Sequence, residues 1–324
     1  MIPRPAFRPA LCALLALMAH AAALAQPFPS KPVRMLVPFS AGSGTDILAR
    51  TVAQKMAENW GQQVLVENRP GAGGTVAANA VLSAPADGYT MMLVSAGHAA
   101  NATLYRKLPY DTVRDFAGVS IVASTPNVLV VGPGLGVKTV KELISLVKSK
   151  PGQLNYSSAG IGSGTHLNGE QFKLEAGLDA QHVAYRGAPE ALADAVAGRV
   201  QFAFSPIVVA LPFVKDGRGI ALAVSTAART PVLPDVPTMA EAALPGFDFD
   251  QWYGLLVSAK TPKPLRETIS REVARIMQLP DVKERLAAQG GIPRYSTPEE
   301  FDAFIRVEVD KLGKVVKAAN AFAD

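Results

Sequence analysis

Short apolar, β-rich runs alternate with helix-period patterns along most of this chain, the pattern of parallel strands joined by crossover helices. Residues 33–37 read as a strand, followed by a glycine-rich turn and a helix over 45–60 with Ile47, Leu48, Val52, Met56 and Trp60 on one face. Residues 64–66 predict a second strand, 75–82 a helix and 89–94 a third strand. The pattern restarts near Asn127, with strands expected at 128–131, 154–156, 182–185, 201–204 and 220–224. Helices are expected at 140–147, at 165–176 with Gly177 as the stop, and at 189–197. Residues 229–245 hold Pro231, Pro234, Pro237 and Pro245, so a stiff, extended loop is expected there, running along the first lobe after crossing back. The remainder reads as mainly helical, at 265–277, 280–288 and 298–319.

The N-terminus has its own pattern. Arg4 and Arg8 precede an apolar run from Leu11 to Ala19 that is too short to cross a bilayer, and Ala23-Leu24-Ala25 supplies a small-x-small cleavage signal. This predicts an export signal over residues 1–25, cleaved before Gln26. The only cysteine, Cys12, leaves with it, so the mature chain has neither disulfide nor thiol chemistry. Losing Arg4 and Arg8 lowers the formal net charge from +5 to +3. That mild excess suits an anionic partner, and no basic run is long enough to suggest nucleic acid. No later apolar stretch approaches a membrane span, so a soluble mature protein is expected, and about 300 residues suggest two lobes.

The most informative feature is an internal echo. Ser40-Ala41-Gly42-Ser43-Gly44-Thr45 follows the first strand and opens a helix. Ser158-Ala159-Gly160-Ile161-Gly162-Ser163-Gly164-Thr165 follows another strand and opens another helix, 118 positions on. Each offers small residues where backbone can approach a ligand, then a hydroxyl residue suited to capping. Helix N-termini carry unpaired N–H groups and partial positive charge, so each loop is a candidate anion cradle. Both should lie beyond the carboxyl ends of their strands, where open α/β sheets bind ligands. Either loop alone also reads as an ordinary capped turn; the repetition favours the cradle. Neither contains Lys or Arg, so backbone amides are expected to carry the recognition, with Arg186 pointing away from the face that Tyr185 presents.

Enzyme signatures fail. Neither Ser43 nor Ser163 has the glycine two residues earlier that a nucleophile elbow requires, residues 132–139 carry Val137 where a phosphate loop needs its second glycine, and no glycine cluster completes G-x-G-x-x-G. His98, His166 and His182 show no metal-site spacing, so neither metal nor cofactor is expected. His166 suits either donation to a ligand or a capping role.

On these residues the chain resembles the extracytoplasmic solute receptors of tripartite tricarboxylate transporters, the Bug family. The shared motifs span nearly all of residues 30–324. They include Val37-Pro38-Phe39-Ser40-Ala41-Gly42 with Asp46, Val66-Glu67-Asn68-Arg69-Pro70-Gly71-Ala72-Gly73-Gly74, Asp87-Gly88-Tyr89-Thr90 and Lys107-Leu108-Pro109-Tyr110-Asp111 with Asp115-Phe116. Further on come Tyr156-Ser157-Ser158-Ala159-Gly160, His166-Leu167, Tyr185-Arg186-Gly187, Leu233-Pro234-Asp235-Val236-Pro237-Thr238 and Trp252-Tyr253-Gly254.

The resemblance implies an α/β two-lobe clamshell of the periplasmic-binding-protein (Venus flytrap) type, each lobe a sheet flanked by helices. Residues 26–123 with 227–324 form the first lobe in this reading, and 124–226 the second. It implies a small carboxylate held by both loops, partly through ordered water, and no catalysis. The expected ligand-binding residues are Phe39, Ala41, Gly42, Ser43, Thr45 and Asp46 on the first loop, and Ser158, Gly160, Ser163, Thr165 and His166 on the second. Ser95, Tyr185, Gly187 and Ser205 would line the rest. Asp46 suits a helix-dipole role equally well, Tyr185 also reads as a core aromatic, and Trp252 reads better as core than as site. Glu67, Asn68, Arg69 and Asp111 are expected to fix loops. Many members carry Asp where this chain has Ser205; serine cannot balance an ammonium, which turns the expectation from amino acids toward plain mono- or dicarboxylates. The expected partner is a membrane permease, or alternatively a membrane sensor protein, and the expected state is a monomer.

Overall fold

The computed structural model describes residues 28–323, so the expected signal segment lies outside the described residues. The chain folds into two sheets that share one long strand. In the first, strands β1 (Val33–Val37), β2 (Val64–Asn68) and β3 (Thr90–Ser95) are parallel, in the order β2-β1-β3. Alternate residues of β1 pack on opposite sides: Val33, Met35 and Val37 join one apolar cluster and Leu36 the other. Both faces are therefore covered, as a parallel sheet with crossover helices requires. Helix α1 (Gly44–Trp60) covers one face, and α2 (Thr75–Leu82) and α3 (Gly97–Leu104) the other.

The shared strand is β4 (Phe116–Val131), buried along its whole length. Through Pro126 it pairs antiparallel with β9 (Asp250–Ser258) in the first sheet. From Asn127 it pairs antiparallel with β7 (Phe202–Pro206) and, at Val128–Val131, with β8 (Ile220–Val224) in the second. Pro126 sits where one ladder ends and the next begins, a place that tolerates the missing N–H. The second sheet continues from β7 through β5 (Asn155–Ser158) to β6 (Gln181–Ala184), both parallel steps. Helices α4 (Val140–Ser149), α5 (Gly164–Ala176), α6 (Ala188–Val196) and α7 (Ile207–Lys215) lie in this half.

The crossing point is tied by backbone and hydroxyl hydrogen bonds. Asn127 N donates to Ser225 Oγ at 3.0 Å, Ser225 N to Asn127 O at 2.8 Å, and Ser225 Oγ to Phe249 O at 2.7 Å. Thus two chain segments, around 126–127 and 249–250, pass between the sheets side by side. The sheet is mixed rather than parallel, because the two crossing strands must run antiparallel to their neighbours. The proline-rich loop also departs from expectation. It stays with the second sheet: Val224 N donates to Pro237 O, Leu233 packs in the cluster of Val128, Val130 and Ile207, and a short helix α8 (Met239–Ala242) sits within it. The chain returns to the first lobe only at β9. It ends in α9 (Lys263–Gln278), α10 (Pro280–Ala288), the two-residue β10 (Ile292–Pro293) and α11 (Pro298–Ala318). Among the described residues no helix is long and apolar enough to cross a membrane.

Candidate functional site

Each glycine loop leaves a parallel strand and starts a helix, and the two are built alike. Ser43 caps α1 with φ −65° and ψ 158°, its hydroxyl accepting from Asp46 N at 3.3 Å. Ser163 caps α5 with φ −66° and ψ 156°, accepting from His166 N at 3.2 Å. The residue before each cap is a left-handed glycine, Gly42 at φ 77° and Gly162 at φ 79°, where a side chain would be strained. Structural equivalence therefore runs from Gly42 to Gly162, 120 positions apart. The register read from sequence was Ser40 to Ser158, two positions out, because Ser158 still belongs to its strand and stands two residues further from its helix than Ser40 does.

This register shows which amides are free. Gly42 N donates to Asp46 Oδ2 at 2.9 Å, and Gly162 N to His166 Nδ1 at 3.2 Å. Ser43 N is taken by Ser40 O and Ser163 N by Gly160 O. The first-turn amides of Gly44 and Thr45, and of Gly164 and Thr165, have no acceptor within the described chain. Two helix starts with free donors and aligned dipoles are what an anion needs.

Several expected site residues are engaged inside their own lobe. Asp46, 2% exposed, holds Gly42 N, Arg50 and Asn68 Nδ2. Burial opposes its ionisation, yet these bonds outweigh burial and hold its carboxyl below the usual aspartate value. Asn68 Nδ2 also donates to Phe39 O at 3.0 Å, while Glu67 takes Arg34 in a two-point ion pair at 2.6 and 2.9 Å and is held at a pKa of about 2 by it. These residues set the shape of the first loop. On the second loop, Ser158 Oγ meets His182 Nε2 at 2.6 Å, and Thr165 Oγ1 accepts from Ala159 N at 2.9 Å. His166 accepts at Nδ1, is buried, stacks on His182 with ring centroids 4.2 Å apart, and has its pKa pushed down to about 4 by burial.

The lobes meet across the loops. Ser40 N donates to Arg186 O at 3.1 Å and Ser40 Oγ to Glu190 Oε2 at 3.0 Å. A Cβ on Gly187 would lie 1.9 Å from Ser40 Oγ, and one on Gly97 would lie 2.1 Å from Gly162 O. Glycine at both positions thus permits a closed arrangement. Beside these contacts lies a cavity of about 530 Å³ walled by both lobes: Phe39 and Gly71–Gly74 with Tyr105 from the first, Ala159–Ile161, Tyr185, Arg186 and Glu190 from the second. Its size suits a small organic ligand. Of the residues expected at the site, Phe39, Gly160 and Tyr185 line it. Arg186 lines the same wall as Tyr185, contrary to the alternation argument, because β6 ends at Ala184 and strand geometry no longer applies beyond it. Ala41 and Gly42 are exposed at the loop tip, and Ser43, Thr45 and Ser95 are buried near the seam.

At the crossing point lies a cluster of which sequence reasoning named only Ser205 as a site residue and missed Thr125, Gln251 and Tyr253. Thr125 Oγ1, Ser205 Oγ, Gln251 Oε1 and Tyr253 OH are buried without a hydrogen-bond partner. A Cβ on Gly44 would lie 2.6 Å from Tyr253 OH, and one on Gly164 would lie 1.8 Å from Gln251 Oε1. Two orphaned groups therefore abut the two helix starts. The available signal was the alternation of Gln251 and Tyr253 in a β-rich run, which the mainly helical reading of the C-terminal part passed over. Trp252, between them, points the other way into the core and donates from Nε1 to Glu308 at 2.8 Å. Among the described residues no cluster of His, Cys, Asp or Glu could hold a metal.

The family model for the tripartite tricarboxylate transporter family receptor matches residues 48–321. BugT of Bordetella pertussis is 32% identical over 318 residues, covering 96% of this chain and 98% of its own length. The R. palustris protein Rpa4515, solved with adipate, is 34% identical with a TM-score of 0.87, over 90% of this chain and 98% of that one. MatC from Rhodopseudomonas palustris, solved with malate, is 33% identical with a TM-score of 0.85, over 89% of this chain and all of its own. The family model covers most of the chain and the relatives cover it nearly from end to end, so the chain belongs to the tripartite tricarboxylate transporter receptor family, the Bug solute-binding proteins.

Proposed function

We propose that this protein is an exported, monomeric receptor that closes its two lobes on a small carboxylate and delivers it to the membrane permease of a tripartite tricarboxylate transporter, without chemistry on the ligand. The observation that carries the reading is the pair of matching helix starts, each with unclaimed amides, one set against Tyr253 and the other against Gln251 where the chain crosses between the sheets. The carboxylates bound by two of its structural relatives are of the same class. The amides of Gly44, Thr45, Gly164 and Thr165 hold the carboxylate in this reading. Ser43, Ser163, Ser95, Ser205 and Tyr185 complete the site, and Asp46, Ser158 and His166 shape the loops. Ser205 offers a neutral hydroxyl, which favours a plain carboxylate over an amino acid. The first lobe is 26–123 with the chain from Asp250 onward, and the proline-rich stretch 227–249 moves with the second. The leader is removed after Ala25.

Thermal melting across mono-, di- and tricarboxylates, each beside its amide, tests the reading. A carboxylate should raise the melting temperature where its amide does not; equal effects from both would remove the anion argument.

A further inference from the structure

A separate cavity of about 330 Å³ lies in the first lobe and shares no lining residue with either glycine loop. The segment leading into β4, the start of α9 and the middle of α11 wall it. Three guanidinium groups, Arg114, Arg266 and Arg306, converge there, and Asp302 is the one carboxylate in the wall. Arg266 is the fixed member. Its side chain is 13% exposed, and Nη1 donates to Asp302 Oδ2 at 2.9 Å. The other oxygen of Asp302 accepts from Gly118 N at 2.6 Å, and a Cβ on Gly118 would lie 2.9 Å from it, so glycine in β4 admits the carboxylate. Asp302 is thus spent on holding Arg266. Glu299, 3.7 Å from Arg266, sits closer to Lys263, at 3.0 Å. Arg114 gives Nε to Asp111 at 2.9 Å. Arg306, one turn after Asp302, has no hydrogen bond or ion pair among the described residues. In the same wall Thr112, 3% exposed, keeps its hydroxyl buried without a partner. Such a group is costly unless something completes it.

We propose that this cavity binds a phosphate group, with Arg266 as its fixed floor and Arg114 and Arg306 as arms that close on it. Each guanidinium offers five N–H donors in a planar fork, and few of these are engaged by protein. A phosphate group brings three strong acceptor oxygens, which suit three forks approaching from different elements, whereas a carboxylate brings two. The Thr112 hydroxyl supplies a further donor. Because Asp302 holds Arg266 before anything binds, little side-chain freedom is lost at the floor, and the ordering falls on the two arms. Inorganic phosphate and the headgroup of an anionic phospholipid both carry this chemistry, and the test separates them. The proposal is independent of what the two lobes close upon.

The first arm follows thermal melting of the mature chain, and of its Arg114→Gln and Arg306→Gln variants, against inorganic phosphate with chloride making up the ionic strength. Ligand-free melting should be the same in Arg306→Gln as in the wild type, since Arg306 has no protein partner to lose. The second arm is sedimentation of the same three proteins with vesicles of phosphatidylcholine, alone or mixed with phosphatidylglycerol. In whichever arm the wild type responds, each substitution should weaken binding by roughly tenfold to a hundredfold. A rise in melting temperature with phosphate, without pelleting, assigns the free anion. Pelleting that needs both phosphatidylglycerol and Arg306 assigns the headgroup. A wild type that responds in neither arm overturns the proposal. So does a response that survives both substitutions, because the phosphate group is then held elsewhere on the molecule.

Discussion

Gly97→Ala should disarm the receptor without unfolding it. Gly97 opens α3 in the first lobe, away from the left-handed region, so alanine fits its backbone freely. The obstacle is across the seam. The new Cβ would lie 2.1 Å from Gly162 O and 3.2 Å from Ser163 Cα, and real Cβ contacts stay at 3.0 Å or more. The lobes must therefore back away by about 0.9 Å where the second loop meets the first lobe. The obstructing atom is backbone, held by the Gly162 N to His166 bond, so a rotamer change cannot relieve it. An amide bond to a carboxylate contributes about 1.5–3 kcal/mol, so losing one such bond weakens binding by roughly tenfold to a hundredfold. Calorimetry with a carboxylate that binds the wild type measures this. Gly134→Ala, which meets nothing within 4 Å and has ordinary φ, serves as control. The unliganded melting temperature should barely move in either variant. If Gly97→Ala binds like the wild type, the closed contact seen here is not the liganded arrangement, and the account of closure is wrong.

Three further outcomes follow from the structure. His98, His166 and His182 are pushed down by burial to about 4, 4 and 3, below the unfolded value of about 6.5. Unfolded chains then bind protons that the folded chain refuses, so melting temperature should be flat above pH 6.5 and fall steadily from there toward pH 4; a flat profile across that window would contradict the burial of these rings. Ala72 holds φ 43° between Gly71 and Gly73, so Ala72→Gly should stabilise the protein by roughly 0.5–1 kcal/mol in chemical denaturation, and a loss instead would show that the residue is not strained. Asn68→Ala removes the bonds to Phe39 O and Asp46 that shape the first loop, so it should weaken carboxylate binding although Asn68 is not expected to touch ligand, and lower stability by about 1–3 kcal/mol; binding and melting at wild-type levels would show that the loop keeps its form unaided.

Much of the architecture was legible because apolar periodicity reports burial directly. Val33–Val37, the helix after Gly44 and the capped helix from Pro298 all lie where the pattern placed them. The long strand Phe116–Val131 was read only at its C-terminal end, since Pro126 interrupts it and no local pattern reveals that one strand serves two sheets. Helix Ile207–Lys215 was missed because its β-branched residues and Pro212 are poor helix formers, overridden here by burial of Ile207, Val209, Ala210 and Leu211. The paired glycine loops were visible as a repeat, but their true register depended on cap geometry at Ser43 and Ser163. The orphaned polar atoms of Thr125, Gln251 and Tyr253 became apparent only once the fold had buried them together.

The most direct measurement is a crystal structure of the mature chain with a carboxylate that raises its melting temperature. The account predicts one carboxylate between the lobes, reached directly or through single waters by first-turn amides of both helices, Gly44–Thr45 on one side and Gly164–Thr165 on the other. A carboxylate held by one lobe alone, or by side-chain cations with those amides left bare, would contradict it.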